Sequence, residues 1–276
     1  MVEISRTIFF VSDSTAITAE TMGQSLLSQF DGISFEQITF PFIDSYEKAI
    51  RVYQQINLDA EQERLKPIVF STLVNTHIRQ MIKNSHCIFF DLIETFIGRL
   101  ETELERESSH TIGRYHAMAN NSVYDLRMHA VNYALDTDDG ISIKNYDQAD
   151  VILLGVSRTG KTPTCIYMGM QYGIHAANYP LTEDDFARDQ VFPEQLYPFR
   201  SKLYGLTINP ERLHHIRSER LSHSRYSSLQ QCRMELSQAE MMFKKEDIPF
   251  LNVTAMSIEE IASTILLECN LQRRVL

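Results

Sequence analysis

Apolar and polar positions along this chain recur in a fixed order: a short apolar run, a longer stretch with helical spacing, then another apolar run. Residues 7–13, Thr-Ile-Phe-Phe-Val-Ser-Asp, open the series as a strand that ends in polar side chains. Ser14 or Thr15 is expected to cap the helix that follows, with Glu20 early in it. Residues 35–42 read as a second strand, stopped by Pro41 and Asp44, and 46–65 carry helical spacing rich in Glu, Gln and Lys. Strands are predicted again at 67–73 and 86–92, with helices over 75–83 and after 92. The second half continues in kind, with a helix over 124–135 and strands at 151–154, 174–180, 203–208 and 248–254. Asn209 and Pro210 open one helix there, and Ser257 with Glu260 three residues on opens the last. This alternation builds open parallel α/β sheets, whose ligands lie beyond the carboxyl ends of the strands.

Three stretches interrupt the pattern. Residues 106–122 lose all periodicity and read as a long loop or flap. Residues 192–199 hold Pro193 and Pro198 and read as a loop. Residues 136–140, Asp-Thr-Asp-Asp-Gly, read as a turn, and a domain boundary is expected just beyond it, near residue 145.

The most informative stretch is 150–162, where four apolar residues run into G-x-x-x-x-G-K-T. This is the order of a strand, a phosphate loop and a helix. Gly155 and Gly160 let the backbone bend so that successive N–H groups converge on phosphate oxygens, and the helix start adds its positive dipole end. Lys161 can reach the terminal phosphates, and the Thr162 hydroxyl can hold magnesium. Average residue usage produces the bare pattern about once per hundred chains of this length. The apolar strand before it sharpens the match, as do Pro163 in the first helical turn and Gly173 as a helix stop. The candidate phosphate contacts are Gly155, Val156, Ser157, Arg158, Thr159, Gly160, Lys161 and Thr162, with Thr162 as metal ligand.

Such a loop does not choose between kinase, switch and motor. Its usual partner is a strand-end Asp that orders magnesium. Asp13 and Asp91 fit that local pattern, but both precede the loop, and no apolar run ending in Asp follows it. The glycine loop and the H-R-D and D-F-G triplets of protein kinases are absent. Ser12-Asp13-Ser14-Thr15 sits at a predicted strand end, as a ligand contact or as a plain helix cap. Glu183, Asp184 and Asp185 follow another strand, either as magnesium partners or a general base, or as a solvated acidic turn. Arg212, Arg217, Arg220, Arg225 and Arg233 crowd a helical stretch that reads as a charged face or as a lid bringing arginine to a transferring phosphate. His214, His215 and His223 lack the spacing of a metal site.

Composition narrows the partners. A net charge of −10 in 276 residues argues against a nucleic-acid footprint, and no run approaches a membrane span. Four scattered cysteines without a C-x-x-C point away from zinc and dithiol chemistry and toward a reducing cytoplasm. The N-terminus has no signal-peptide pattern, and no internal repeat is visible.

Four motifs together resemble the bacterial phosphoenolpyruvate synthase regulatory proteins, relatives of the pyruvate, phosphate dikinase regulatory proteins. They are Ser12-Asp13-Ser14-Thr15-Ala16-Ile17-Thr18-Ala19-Glu20, Gly155 to Thr164, Ala176-Ala177-Asn178-Tyr179-Pro180 and Ser224-Arg225-Tyr226-Ser227. The likeness runs from about residue 7 to the C-terminus, and Gln231-Cys232-Arg233-Met234-Glu235 favours the synthase branch. The resemblance implies a bifunctional enzyme. One activity uses ADP to phosphorylate a threonine of the synthase and inactivate it; the other uses inorganic phosphate to remove that group and release pyrophosphate. It implies a nucleotide site over residues 155–162; from the residues themselves, Lys161 and Thr162 are expected to hold phosphate and magnesium, with Lys161 catalytic and Arg158 assisting. Asp13, Asp184 and Asp185 are the acids considered for the threonine proton. One departure is Thr137, where relatives often carry His.

The resulting expectation is an α/β protein: an N-terminal open parallel, Rossmann-like sheet over 1–145 that binds the target or regulates, and a C-terminal P-loop kinase-like α/β domain over 146–276. The expected partner is phosphoenolpyruvate synthase, with a homodimer as one assembly open to it. A small-molecule kinase of shikimate or nucleoside-monophosphate type is the alternative, and a non-catalytic nucleotide switch the third reading.

Overall fold

The computed structural model describes residues 4–111, 121–140, 143–187, 192–222 and 224–275. The chain divides into two compact units, Met1–Met118 and Ala119–Leu276. The first comprises β1 (Ile4–Val11), α1 (Ile17–Leu27), β2 (Ile33–Phe40), α2 (Tyr46–Glu63), β3 (Ile68–Ser71), α3 (Thr76–Lys83), β4 (Ile88–Asp91) and α4 (Glu94–Leu104). Its sheet has the order β2-β1-β3-β4, and every pairing is parallel. β1 lies inside the sheet and is apolar on both faces. Phe9 and Val11 join Val52, Ile56, Ile78 and Ile82, while Ile8 and Phe10 join Ala19, Leu27 and Phe70. The period of two along a strand produces this division.

The entry to α1 differs from the expectation. Neither Ser14 nor Thr15 caps it; the N-cap is Ala16 in left-handed backbone (φ 67°, ψ 0°), with no side-chain cap. Ser12 Oγ instead accepts from the Ser14 amide at 3.1 Å, which turns the chain before the helix begins.

The second unit comprises α5 (Asn121–Asp136), a 3-10 turn (Asp138–Gly140), a 3-10 segment (Ile143–Gln148), β5 (Val151–Val156), α6 (Lys161–Tyr172), β6 (Ala176–Leu181) and α7 (Glu183–Ala187). A 3-10 helix (Glu194–Lys202), β7 (Leu203–Thr207), α8 (Pro210–Arg220), α9 (Leu229–Lys245), β8 (Phe250–Asn252) and α10 (Ile258–Glu268) complete it. Its sheet runs β6-β5-β7-β8, again all parallel. Every residue of β5 is buried. The Asn209 cap with Pro210, the Gly173 stop and the Ser257–Glu260 capping box all form.

The units divide at 118/119, not near 145, so α5 and the Asp-Asp-Gly turn go with the second. The physical reason is packing between α5 and α6. A Cβ on Gly169 would sit 3.0 Å from the Ala130 carbonyl carbon, so the two backbones approach closely and a side chain there would push them apart. The loop expected over 106–122 already gives way to helix at Asn121, and residues 112–120 lie outside the described residues. The loop expected at 192–199 is in its second part a 3-10 helix that accommodates Pro198.

Gly205 lies in β7, where a Cβ would meet Phe243 Cε2 and Phe250 Cβ, each at 2.7 Å. Gly205→Ala is therefore expected to overpack this core and cost about 1–3 kcal/mol, read as a lower urea midpoint with an unchanged slope.

Candidate active site

β5 turns into α6 within four residues. At Gly155 a Cβ would come 2.6 Å from the Leu206 carbonyl oxygen and 2.8 Å from Thr159 Oγ1, so neighbouring β7 leaves room only for glycine. Arg158 (φ 77°) and Gly160 (φ 84°) both take left-handed backbone. A Cβ on Gly160 would meet nothing within 4 Å, so this side of the turn is open. No side chain caps α6, which leaves the amides of its first turn for an anion.

Lys161 is 5% exposed, and its Nζ donates to the Val156 carbonyl at 3.0 Å. Thr159 Oγ1 donates to the same oxygen at 3.0 Å. Burial lowers the Lys161 pKa to about 8, against the pull of Asp139 and Asp138 in the opposite sense. The ammonium is thus folded back onto its own loop.

The acid that the sequence lacked after the loop comes from in front of it. Thr162 Oγ1 donates to Asp138 Oδ1 at 2.7 Å. Asn178, fully buried in β6, donates from Nδ2 to the same Asp138 oxygen and accepts the Asp139 amide at 3.2 Å. The 3-10 turn, bent through left-handed Asp139 and Gly140, brings Asp138 to the start of α6. Reading by strand ends missed it, because Asp138 sits on a turn between a helix and the β5 strand. Its neighbour Thr137 is fully buried and donates to the Tyr133 carbonyl at 2.7 Å, so it closes α5.

Magnesium prefers oxygen ligands and binds through one or two carboxylates plus substrate phosphates. The Thr162 hydroxyl and Asp138 carboxylate, side by side, fit that requirement. Among the described residues no group of three His, Cys, Asp or Glu gathers as a metal site.

The far side of the turn is held by Arg217 of α8. Its guanidinium has no exposed surface. It donates to the Ser157 carbonyl at 3.1 and 3.3 Å, to the Tyr226 carbonyl at 3.0 Å and to Glu235 Oε2 at 2.7 Å. It also lies 4.2 Å from the Tyr226 ring centroid, and the Tyr226 hydroxyl meets Ser157 Oγ at 2.9 Å. In a trans peptide C=O and N–H point in opposite directions. Fixing the Ser157 carbonyl toward Arg217 therefore fixes the Arg158 amide away from it.

The other arginines divide differently. Arg225 pairs with Glu183 at 3.3 Å and Arg233 with Glu211 at 2.7 Å, while Arg212 and Arg220 are exposed. Arg158 is exposed at the tip of the turn. His214 Nδ1 meets the Ser227 carbonyl at 2.5 Å, a structural contact, and His223 lies outside the described residues. Of the three acids considered as base, Asp185 is engaged by the Thr182 amide at 2.8 Å and the Tyr179 hydroxyl at 3.0 Å. Asp184 is exposed on α7. Asp13 belongs to the first unit, where its Oδ2 accepts the Val74 amide at 2.6 Å and burial raises its pKa. Asp91, also in the first unit, accepts the Glu94 amide at 2.9 Å and pairs with Arg79 at 3.5 Å.

Fold and site define a parallel α/β protein whose second unit gathers a lysine, a threonine and an aspartate at the turn from β5 into α6. Residues 8–266 match the family described as kinase/pyrophosphorylase, and the chain belongs to that family. Similar proteins bear the provisional name phosphoenolpyruvate synthase regulatory protein. The one from Alkalilimnicola ehrlichii is 52% identical over 100% of both chains. That from Legionella pneumophila strain Corby is 51% identical over 99% of this chain and 100% of its own. A third, from Pseudomonas fluorescens, is 52% identical over 98% and 99% respectively. No described helix is long and apolar enough to cross a membrane.

Arg217→Met would strand the Glu235 carboxylate, whose side chain is 11% exposed. A loss of about 3–5 kcal/mol is expected in urea unfolding, and adding Glu235→Leu should recover more than half of it.

Proposed function

We propose that this chain regulates phosphoenolpyruvate synthase by reversible phosphorylation of a threonine. In one direction the terminal phosphoryl group of ADP passes to the threonine oxygen, AMP leaves and the hydroxyl proton is released. In the other, inorganic phosphate attacks the phosphothreonine, the threonine regains its proton and pyrophosphate leaves. The observation that carries this reading is the convergence of Lys161, Thr162 and Asp138 at one uncapped helix start. The family's description and the names of the relatives supply the reaction class and the target.

Both directions move one phosphoryl group between small polyanions, so positioning and charge neutralisation do most of the work. The amides of the turn and Lys161 hold the phosphates. Thr162 and Asp138 hold magnesium, which neutralises phosphate charge when bound. Arg158, at the open tip, steadies the outer phosphate. Of Asp13, Asp184 and Asp185, Asp184 is the exposed one in the same unit, and we assign it the threonine proton; Asp13 serves the first unit, which takes the role of target binding or regulation. The small-molecule kinase reading accounts only for the second unit, whereas the family match spans both.

The decisive experiment incubates the chain with phosphoenolpyruvate synthase and either ADP labelled in its terminal phosphate or ATP labelled in its own. Label on a synthase threonine from ADP alone is expected. Labelling by ATP alone, or of no protein, would overturn the proposal. Lys161→Ala is expected to abolish both phosphorylation and phosphate-dependent removal; survival of either would mean two separate sites.

The depressed Lys161 pKa sets a pH dependence with a definite sign. Below about 8 the amine is charged and attracts ADP; above it the free protein must first take up a proton. ADP affinity by calorimetry should fall by up to about tenfold per pH unit between roughly 8 and 10, with proton uptake in that window.

A further inference from the structure

The Ser-Arg-Tyr-Ser stretch at 224–227 joins α8 to α9 and is closed on itself. The Ser227 amide donates to the Ser224 carbonyl at 3.2 Å, and the two serine hydroxyls lie 3.1 Å apart. From α8, His214 Nδ1 meets the Ser227 carbonyl and Arg217 donates to the Tyr226 carbonyl. Arg225 and Tyr226 therefore project from a turn that is tied down at both ends. With Ser157, Leu181, Glu183 and Glu235 they line a cavity of about 260 Å³. Ser157 belongs to the turn from β5 into α6, and Leu181 and Glu183 stand at the end of β6, so this cavity adjoins the candidate active site.

The two arginines that line it are held in opposite ways. Arg217 has no exposed surface and is bonded to Glu235 at 2.7 Å. The Arg225 side chain is 75% exposed, and its pair with Glu183 spans 3.3 Å. An exposed pair of that length adds little to stability and exchanges easily. Glu183 does not depend on it either. Gln231, itself buried, donates from Nε2 to Glu183 Oε1 at 2.7 Å and to Glu235 Oε1 at 2.9 Å. If Arg225 leaves, the Glu183 carboxylate keeps a hydrogen bond and the cavity wall stays in place.

Resting on the reaction proposed above, we infer that this cavity receives the side chain of the target threonine, and that Arg225 recognises that side chain once it is phosphorylated by leaving Glu183 for the phosphoryl oxygens. A guanidinium can meet a phosphate with two parallel N–H groups, a better contact than the long one it holds with Glu183. Leu181 and the Tyr226 ring, backed by Arg217 at 4.2 Å from its centroid, offer apolar surface to the threonine methyl. The hydroxyls of Ser157 and Tyr226, 2.9 Å apart, can each donate or accept, so the pair serves a free hydroxyl in one direction and its phosphate ester in the other. Lys161, Thr162 and the amides of the turn are engaged by the phosphates of ADP, which leaves Arg225 for the phosphate carried by the target. Asp184, to which the threonine proton is assigned, directly follows Glu183.

The test uses the full chain and two probes, O-phosphothreonine and ADP, titrated by calorimetry into the unaltered chain and into Arg225→Gln, Arg225→Lys and Glu183→Gln. Arg225→Gln should weaken O-phosphothreonine by about tenfold or more, the effect of one lost charge-assisted contact, and ADP by much less. Arg225→Lys, which keeps the charge without the planar fork, should recover part of the loss. Glu183→Gln should tighten O-phosphothreonine severalfold, because Arg225 loses its competing partner. Phosphorylated synthase supplies the kinetic readout: in Arg225→Gln the KM for phosphate-dependent removal should rise further than the KM for the unphosphorylated synthase. A loss of ADP affinity as large as that of O-phosphothreonine would assign Arg225 to the nucleotide and overturn the inference. So would O-phosphothreonine binding that neither Arg225→Gln nor Glu183→Gln alters, or no binding of it to the unaltered chain. If the unaltered chain turned over neither form of the synthase, the reaction proposed above would fall, while the calorimetry would still decide the role of Arg225. Circular dichroism of each variant separates loss of binding from loss of fold.

Discussion

A guanidinium with no exposed surface is tolerable only when its donors are met, and Arg217 meets them with two backbone carbonyls and one carboxylate. Two of those acceptors lie on the elements that shape the candidate site: Ser157 in the phosphate-loop turn and Tyr226 in the Ser-Arg-Tyr-Ser segment. The third, Glu235, anchors the group to α9. Fixing the Ser157 carbonyl decides which way the next amide points, and the turn cannot flatten without leaving two donors of a buried cation unmet. The chain from Glu235 through Gln231 to Glu183, at 2.9 and 2.7 Å, extends the same constraint to the end of β6.

The proposed function asks a chain with net charge −10 to hold polyanions. Attraction here is local. Backbone amides at an uncapped helix start and one buried ammonium act in a low-dielectric turn, where each counts for more than a surface charge. Asp138 and Asp139 stand close enough to bias Lys161 toward its charged form, yet desolvation outweighs them. An incoming phosphate, and a magnesium ion on Asp138 and Thr162, would exchange those carboxylate contacts for better ones. The arrangement suits a phosphate that arrives and leaves, because Asp138 and Asp139 already balance Lys161 from within.

The repeated strand order gives the molecule two crevices of one design, with different chemistry in each. The second unit places glycines and a lysine at its crevice. The first places hydroxyls, a left-handed alanine and a buried acid turned aside. No sequence repeat accompanies this likeness, because parallel sheets depend on burial and connection length more than on particular residues.

The sequence by itself determined the strands, the helix caps at Asn209 and Ser257, and the glycine-bounded turn from β5 into α6. Each follows from neighbours in the chain: an apolar run, an oxygen three residues before an amide, a glycine at a bend. It also determined the family, since the four motifs carried that resemblance without coordinates. Only the tertiary structure decided that Asp138 reaches Thr162 from 24 residues upstream, that Arg217 is buried support and no lid, and that the units divide at 118/119. Each of these depends on contacts between elements distant in sequence. A turn such as Asp-Thr-Asp-Asp-Gly, or one arginine among five, looks the same in the chain whether it faces water or a buried carbonyl. The start of α1 belongs with them: Ser14 and Thr15 are good caps by type, yet Ser12 takes the Ser14 amide and the bend passes to Ala16.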